Sequence, residues 1–310
     1  MAETKTSVTG VEIPAGGLLS RLWMNYHIIP QYIGLLLFPR DLTIFHTIPQ
    51  GTIFNPPWFL PVWVALILVV WRVVRSRQKA ALFGLIWCVV NYAPISNIVP
   101  IPSDPITERF LYLPAVGFIF MLGAFIEYLY STVRTKWAVN MAVAVVMLLC
   151  TIVTIQRNRD WMDDYSLYVS GVKNDPESAE AHVNLGTALL QDKGNREAAR
   201  QEWETALRID PQNSDALTQM GTYEAVIGDL QKAERYYAAA LLSPPGKSDP
   251  DKSLAHFNLG RIYDEQNRAL DALRQYELFL KFVTLRYAEY KPFAEQRIAY
   301  YRHKILINSM

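Results

Sequence analysis

Cysteine is nearly absent from this sequence, and so are the motifs of common cofactor and metal sites. Its two cysteines, Cys88 and Cys150, lie inside long apolar runs, where neither a structural disulfide nor a zinc site is expected. The sequence contains no Gly-rich phosphate loop, no histidine pair at metal-ligating spacing and no Ser or Cys nucleophile motif. It therefore predicts no metal and no required cofactor, and it assigns no catalytic residue.

The sequence also lacks an excess of charge of either sign. Its formal net charge is +1 at pH 7, and no basic stripe stands out. Proteins that bind nucleic acids carry such stripes, because phosphate neutralisation supplies much of their affinity. We therefore expect no nucleic acid as a partner. The first 20 residues include Glu3 and Lys5 and contain no apolar block before a small-residue cleavage site, so a cleaved signal peptide is not expected.

Long apolar runs fill the first half of the chain. A membrane-spanning helix needs about 20 mostly apolar residues to cross a hydrocarbon core of about 30 Å. Four runs reach this length and are predicted to span a membrane: 53–74, 80–98, 110–130 and 137–155. A fifth run, 22–38, is interrupted by polar residues and by Pro30, and it predicts either an interfacial helix or a short span.

Basic residues beside these runs predict their orientation. Lys and Arg in short loops favour the cytoplasmic side. They flank the first and third connections at Arg72, Arg75, Arg77, Lys79, Arg134 and Lys136. The loop from Pro94 to Glu108 and everything after Arg157 are then extracytoplasmic, although Arg157 and Arg159 oppose this assignment. We expect an integral protein of the bacterial inner membrane with its second half periplasmic, or, as the alternative, of the endoplasmic reticulum with that half lumenal.

The second half contains an internal repeat. The segments AEAHVNLGTALL, SDALTQMGTYEA and SLAHFNLGRIYD align on Gly186, Gly221 and Gly260. Each is followed by a partner segment in which an aromatic residue comes four positions after an alanine, as at Ala199 and Trp203. This pattern is similar to the tetratricopeptide repeat (TPR) family, whose unit is a helix pair of about 34 residues. The resemblance implies that His182 and His256 pack in the core between paired helices.

The TPR resemblance also implies a concave groove lined by the first helix of each pair. In the family, amides at the position before the glycine motif often hold the backbone of an extended peptide, because an amide both donates and accepts hydrogen bonds. A second row lies one helical turn further on. The predicted groove residues are Asn184, Thr187, Gln219, Thr222, Asn258 and Arg261. We therefore expect another protein as the partner, and solvated polar side chains are the alternative interpretation.

The first half resembles a second family. NYAPISNIVPIPSDPITERFLYLPAVGF, with YIGLLLFPRDLTIFHTIP and RNRDWMDDYSLY, is similar in content and order to the transmembrane-and-TPR O-mannosyltransferases. The resemblance implies a class C glycosyltransferase membrane fold that uses a polyprenyl-phosphate sugar donor. Arg109 would hold the lipid phosphate, and Glu108 would orient it or contact the acceptor. Alternatively, Arg109 snorkels to the membrane interface and Glu108 is solvated.

The sequence departs from this family where the catalytic acid is expected. Class C enzymes carry that acid in the first external loop of a membrane domain about twice this size, and Asp41 does not lie in a matching motif. The chain resembles the rear half of such a transferase with its repeats. Our first hypothesis is therefore a membrane-anchored TPR interaction protein, in contact with lipid and in the setting of a multi-subunit membrane complex. The alternative is a protein glycosyltransferase, either reduced or one half of a split enzyme.

The predicted fold class is all-α, with a transmembrane helix bundle followed by an α-solenoid of TPR helix pairs. Residues 1–56 form an N-terminal segment, and residues 57–156 form the transmembrane helices. Residues 157–310 form a TPR domain with a half repeat, three repeats and a capping helix.

Overall fold

The computed structural model describes residues 7–8, 11–12, 18–37, 59–76, 78–96, 108–245 and 252–308. Regular structure in these ranges is helical, apart from a short hairpin in which β1 (Ser7–Val8) pairs antiparallel with β2 (Val11–Glu12). The chain divides into two compact units, Met1–Met162 and Asp163–Met310. The predicted all-α class, with apolar helices followed by a solenoid, is confirmed.

The first unit is built from long apolar helices. They are α1 (Leu18–Leu37), α2 (Phe59–Ser76), α3 (Lys79–Tyr92), α4 (Tyr112–Thr132) and α5 (Lys136–Asp160). A 3-10 turn extends α3 at Ala93–Ser96, and another precedes α4 at Glu108–Leu111. The Pro-rich loop between these two turns, residues 97–107, lies outside the described residues, as does Asp41.

Three helical stretches in the described part of the first unit are long and apolar enough to cross a membrane. They are Lys79–Ser96, Glu108–Thr132 and Lys136–Asp160, which match the last three predicted spans. Many of their apolar side chains point outward, such as Ile119 at 64% and Met147 at 65% exposure. Outward-facing apolar side chains are stable in the hydrocarbon core of a membrane. The helical backbone is also suited to that core, because its polar groups pair within the helix. The first predicted span lies partly in α2, and the membrane crossing of α1 and α2 stays a prediction.

Two glycines bring α3 and α4 into close contact. A Cβ atom added at Gly84 would collide with the carbonyl oxygen of Gly117 and lie 3.0 Å from the Cγ of Met121. A Cβ at Gly117 would lie 2.7 Å from the Sγ of Cys88. Small residues at such crossings let helix backbones approach in a membrane, where packing rather than the hydrophobic effect holds helices together.

The second unit consists of stacked helices. They are α6 (Asp164–Asn174), α7 (Ala179–Gln191), α8 (Arg196–Ile209), α9 (Ser214–Ile227), α10 (Leu230–Leu242), α11 (Ser253–Glu265), α12 (Ala269–Phe282) and α13 (Lys291–Asn308). A 3-10 segment, Leu285–Tyr290, joins the last two. Polar residues begin several of these helices: the side chain of Asn213, for example, accepts a hydrogen bond from the backbone amide of Ala216.

The repeat glycines have a packing role. A Cβ atom added at Gly221 would lie 2.8 Å from the Cε1 of Tyr237, which is fully buried. The equivalent pairs in the other repeats are Gly186 with Trp203 and Gly260 with Tyr276. The absence of a side chain therefore lets each aromatic ring of a second helix lie against the backbone of its first helix. These contacts set the pairing of α7 with α8, α9 with α10 and α11 with α12.

Candidate functional site

The predicted groove residues lie on neighbouring first helices. Among these helices, α9 contacts both α7 and α11, so the three form one continuous surface of the second unit. The side chains of Asn184, Thr187, Gln219, Thr222 and Asn258 are half-buried, and that of Arg261 is exposed. The structure therefore brings all of the predicted residues onto one surface, although their role in binding stays a prediction.

The amides of this row differ in their surroundings. Asn258 hydrogen-bonds to the hydroxyl of Tyr237, a core residue of α10. Burial raises the pKa of Tyr237 to about 12, so its hydroxyl stays protonated and available for hydrogen bonding. The side-chain amide of Asn258 is thereby linked to the core through Tyr237. Asn184 and Gln219 lie at the equivalent positions of the two preceding first helices.

The hydroxyl groups of the two groove threonines donate hydrogen bonds within the protein. Thr187 donates a hydrogen bond to the carbonyl oxygen of Val183 at 2.9 Å, and Thr222 donates to that of Thr218 at 3.0 Å. The hydroxyl of Tyr237 donates to Thr222 Oγ1 at 3.0 Å. The threonine row therefore offers methyl groups and acceptor oxygens rather than free donors. Sequence reasoning missed Tyr237, because its alignment with Trp203 and Tyr276 indicates only a core position.

Arg261 is the charged member of the groove residues. It is exposed and forms no ion pair with any residue that the structure describes. Burial raises the pKa values of Tyr237, Tyr276 and Tyr290, and the guanidinium of Arg261 opposes that change at each hydroxyl. A cation that has no acidic partner in the described part of the chain, and that lies close to three phenol groups, is suited to holding an anionic group of a ligand.

Glu108 and Arg109, which were predicted to contact a lipid phosphate, lie in the 3-10 turn before α4 and not in the groove. Glu108 is half-buried and Arg109 is exposed, with its guanidinium 5.6 Å from the ring centroid of Phe110. The next residue, Leu111, packs against Ile28 and Tyr32, so α1 covers this end of α4. The proposed contact of Glu108 and Arg109 with a lipid phosphate stays a prediction.

The histidines of the repeats, His182 buried and His256 half-buried, make hydrogen bonds within the protein. His182 Nδ1 lies 2.6 Å from Glu202 Oε2, and its Nε2 lies 3.1 Å from the carbonyl oxygen of Pro176. His256 Nδ1 lies 2.7 Å from Gln275 Oε1. In the described part of the chain, no group of three or more His, Cys, Asp or Glu side chains is placed to hold a metal ion.

Comparison with known proteins identifies the repeats. The tetratricopeptide repeat family model matches residues 166–217 and 218–281. The chain is also similar to solved structures of the MamA protein and of pilF from Pseudomonas aeruginosa. The first has a TM-score of 0.35 and 20% identity over 48% of this chain and 75% of MamA. The second has a TM-score of 0.37 and 20% identity over 49% of this chain and 64% of pilF.

Curated relatives support the second resemblance. The chain is 30% identical over 150 residues to protein O-mannosyl-transferase TMTC1 of Homo sapiens, covering 48% of this chain and 17% of that protein. It is 26% identical over 286 residues to TMTC3 of Mus musculus, covering 86% of this chain and 30% of that protein. The predicted relationship to the transmembrane-and-TPR O-mannosyltransferases is confirmed, and the chain spans less than a third of the length of either relative.

Proposed function

We propose that this chain is a membrane-anchored interaction protein whose TPR groove holds an extended segment of a partner protein. The observation that carries the proposal is the row formed by Asn184, Gln219 and Asn258 on three neighbouring first helices. An extended backbone presents alternating donors and acceptors, and each amide side chain can pair with both. Tyr237 accepts a hydrogen bond from Asn258 and donates one to Thr222, and these contacts keep part of the row in a fixed geometry, which lowers the entropic cost of binding.

The proposed location is the extracytoplasmic side of a bacterial inner membrane. The basic residues beside the apolar helices support this side, and the apolar faces of α3 to α5 are suited to lipid. The alternative is the endoplasmic reticulum membrane with a lumenal solenoid. In either membrane the groove would hold a partner protein, in the setting of a multi-subunit membrane complex. The proposed function requires no cofactor.

Site-specific photo-crosslinking tests this function. A photoreactive phenylalanine analogue replaces Gln219 in the groove or, as the control, the exposed amide Gln231 on α10, in the full chain expressed in cells. We expect discrete crosslinked products from position 219 that do not form from position 231. A second variant, Asn184→Ala with Gln219→Ala, should reduce the capture of the same partner, and Gln201→Ala with Gln231→Ala should not. Equal crosslinking at both positions would contradict the proposal.

The sequence relationship favours a second candidate, a protein glycosyltransferase that uses a polyprenyl-phosphate sugar. The similarity to TMTC3 over 286 residues covers the apolar helices as well as the repeats. In this candidate Arg109 contacts the donor phosphate and Glu108 orients Arg109 or contacts the acceptor. The groove then presents the acceptor protein, and the chain acts as a reduced enzyme or as one half of a split enzyme.

A transfer assay tests the enzyme candidate. The full chain in nanodiscs, alone or with a separately encoded front half, is incubated with a radiolabelled polyprenyl-phosphate mannose and a Ser/Thr-rich acceptor protein. The candidate predicts sugar transfer that Arg109→Ala abolishes and that Arg134→Ala, at the other end of α4, leaves unchanged. The absence of transfer under both conditions excludes this candidate and leaves the interaction function in place.

A further inference from the structure

The last helix of the chain has the register of a first helix. A buried alanine precedes a buried large apolar residue by four positions in each first helix, and α13 repeats this spacing. These pairs are Ala181 with Leu185, Ala216 with Met220, Ala255 with Leu259, and Ala294 with Ile298. All four alanines are completely buried. The helix therefore continues the stack of first helices, and its groove side follows from the same spacing.

The equivalent groove positions on α13 carry different side chains. The residue before the large apolar position, an amide in the three repeats, is Arg297, and the residue two positions after it is Tyr300. Phe293, just before the buried alanine, lies on the same side of the helix. Phe293 is 43% exposed and Tyr300 is 48% exposed. The groove surface therefore continues onto α13 and becomes aromatic there.

Aromatic rings connect this surface to the third repeat. Phe257 of α11 stacks on Tyr290 with 4.7 Å between ring centroids, and its ring lies 5.8 Å from that of Phe293. The aromatic end of the groove is defined here as Phe257, Tyr290, Phe293 and Tyr300. Its exposed rings, Phe293 and Tyr300, offer apolar area to a ligand side chain, and burial of such area stabilises a complex.

The two arginines near the aromatic end of the groove differ in whether an acidic side chain balances their charge. The guanidinium of Arg297 is hydrogen-bonded to Asp264 and to the hydroxyl of Tyr301, so an acidic group already balances its charge. Arg261, in contrast, has no acidic partner among the described residues. A ligand that brings a carboxylate to Arg261 and an apolar side chain to Phe293 and Tyr300 satisfies both features.

We infer that the aromatic end of the groove, together with Arg261, binds an acidic residue and a neighbouring large apolar residue of the partner segment. This inference rests on the proposed interaction function and specifies the class of peptide. Packed helices lie about 8–10 Å apart, and an extended chain rises about 3.3 Å per residue. The acidic and apolar residues of the ligand are therefore within about three positions of each other.

Peptide selection tests the inference. A random octapeptide phage library is selected on the full chain in nanodiscs, with empty nanodiscs as the background. We expect enriched peptides to combine Asp or Glu with Phe, Tyr, Trp or Leu within three positions. Arg261→Glu should weaken the binding of such a peptide by about tenfold and shift the selection towards Lys and Arg. Tyr300→Ala with Phe293→Ala should remove the apolar preference and keep the acidic one.

Matched substitutions on the outer surface are the controls. Arg274→Glu and Leu270→Ala change an exposed cation and an exposed apolar residue of α12, and both should leave selection unchanged. Enriched peptides without the acidic and apolar pair, or unchanged preferences in Arg261→Glu, overturn this inference and leave the interaction function intact. A library that shows no enrichment over empty nanodiscs contradicts the interaction function and the inference together.

Discussion

At the scale of single residues, His182 is placed where its charge affects stability. Both ring nitrogens face acceptors, since Nδ1 faces the carboxylate of Glu202 and Nε2 faces the carbonyl oxygen of Pro176. Only the imidazolium form donates from both nitrogens. The hydrogen bond with Glu202 raises the pKa of His182 above its usual 6.5, against opposing effects of burial and of Arg208. The first repeat is therefore joined to the preceding turn most strongly when His182 is protonated.

We predict that the repeats are more stable in mild acid because of this contact. A raised pKa in the folded state means that the contribution of His182 is complete below about 6.5, the usual histidine pKa, and is lost as pH rises through the folded-state value. Glu202→Gln should remove about 1–2 kcal/mol of stability at pH 5.5 and much less at pH 8.5. Thermal unfolding of the full chain in detergent, followed by circular dichroism at both pH values, measures this difference.

The exposed carboxylate Glu177 supplies the control for that measurement. It lies in the same turn between α6 and α7, so Glu177→Gln changes the same net charge without removing a hydrogen bond to His182. A pH dependence that is the same in wild type and Glu202→Gln, or that Glu177→Gln removes equally, would contradict the assignment to His182.

At the scale of helices, the crossing of α3 and α4 depends on two glycines. We predict that Gly84→Ala or Gly117→Ala forces the helices apart, because each new methyl group would meet the carbonyl oxygen of the other glycine. Overpacking of this kind costs about 1–3 kcal/mol. Thermal stability of the detergent-solubilised full chain, measured by size-exclusion chromatography after heating, should fall. Gly123→Ala in the same α4 is the control, because no atom of the described residues outside its own helix neighbourhood lies within 4 Å of the added Cβ.

The attachment of α13 depends on Asp264. Its carboxylate accepts hydrogen bonds from Arg297, Tyr301 and, at 3.5 Å, Tyr276, so it links α11, α12 and α13. We predict that Asp264→Ala destabilises this contact by about 1–3 kcal/mol, because it leaves the partly buried Arg297 without its acidic partner. Hydrogen exchange followed by mass spectrometry should show faster exchange in α13 and unchanged exchange in α7. The exposed neighbour variant Glu265→Ala should leave both unchanged.

The helix pairs could be predicted from the sequence, whereas part of the groove chemistry could not. Gly186, Gly221 and Gly260 recur with aligned alanine and aromatic positions, and this spacing is typical of TPR helix pairs. The bond from Tyr237 to Thr222 depends on the distance between two helices, which spacing along one chain does not specify. The sequence also did not indicate that Phe293 and Tyr300 of α13 continue the groove. Ala299 stands where the repeats have glycine, so the alignment with the first helices is hidden.

At the scale of the whole molecule, the number of membrane-spanning helices determines whether the two ends of the apolar region lie on the same side of the membrane or on opposite sides. Among the described residues between Gln78 and Trp161, three helical stretches are long and apolar enough to cross a membrane. Three crossings would put those two residues on opposite sides of the membrane, whatever α1 and α2 do. Arg75 and Lys79 favour the cytoplasm for the first of them. The repeats, which follow Trp161, are then expected outside the cytoplasm.

We therefore predict opposite behaviour of two reporter fusions in a bacterial host. Alkaline phosphatase, which folds only in an oxidising compartment, should be active when fused after Met310 and inactive when fused after Gln78. Green fluorescent protein should show the reverse pattern. Replacement of Arg134 and Lys136 by Gln weakens the cytoplasmic signal of the turn between α4 and α5, so it should lower phosphatase activity after Met310. Fluorescence after Met310 without phosphatase activity would place the groove in the cytoplasm and contradict the proposed location of the partner.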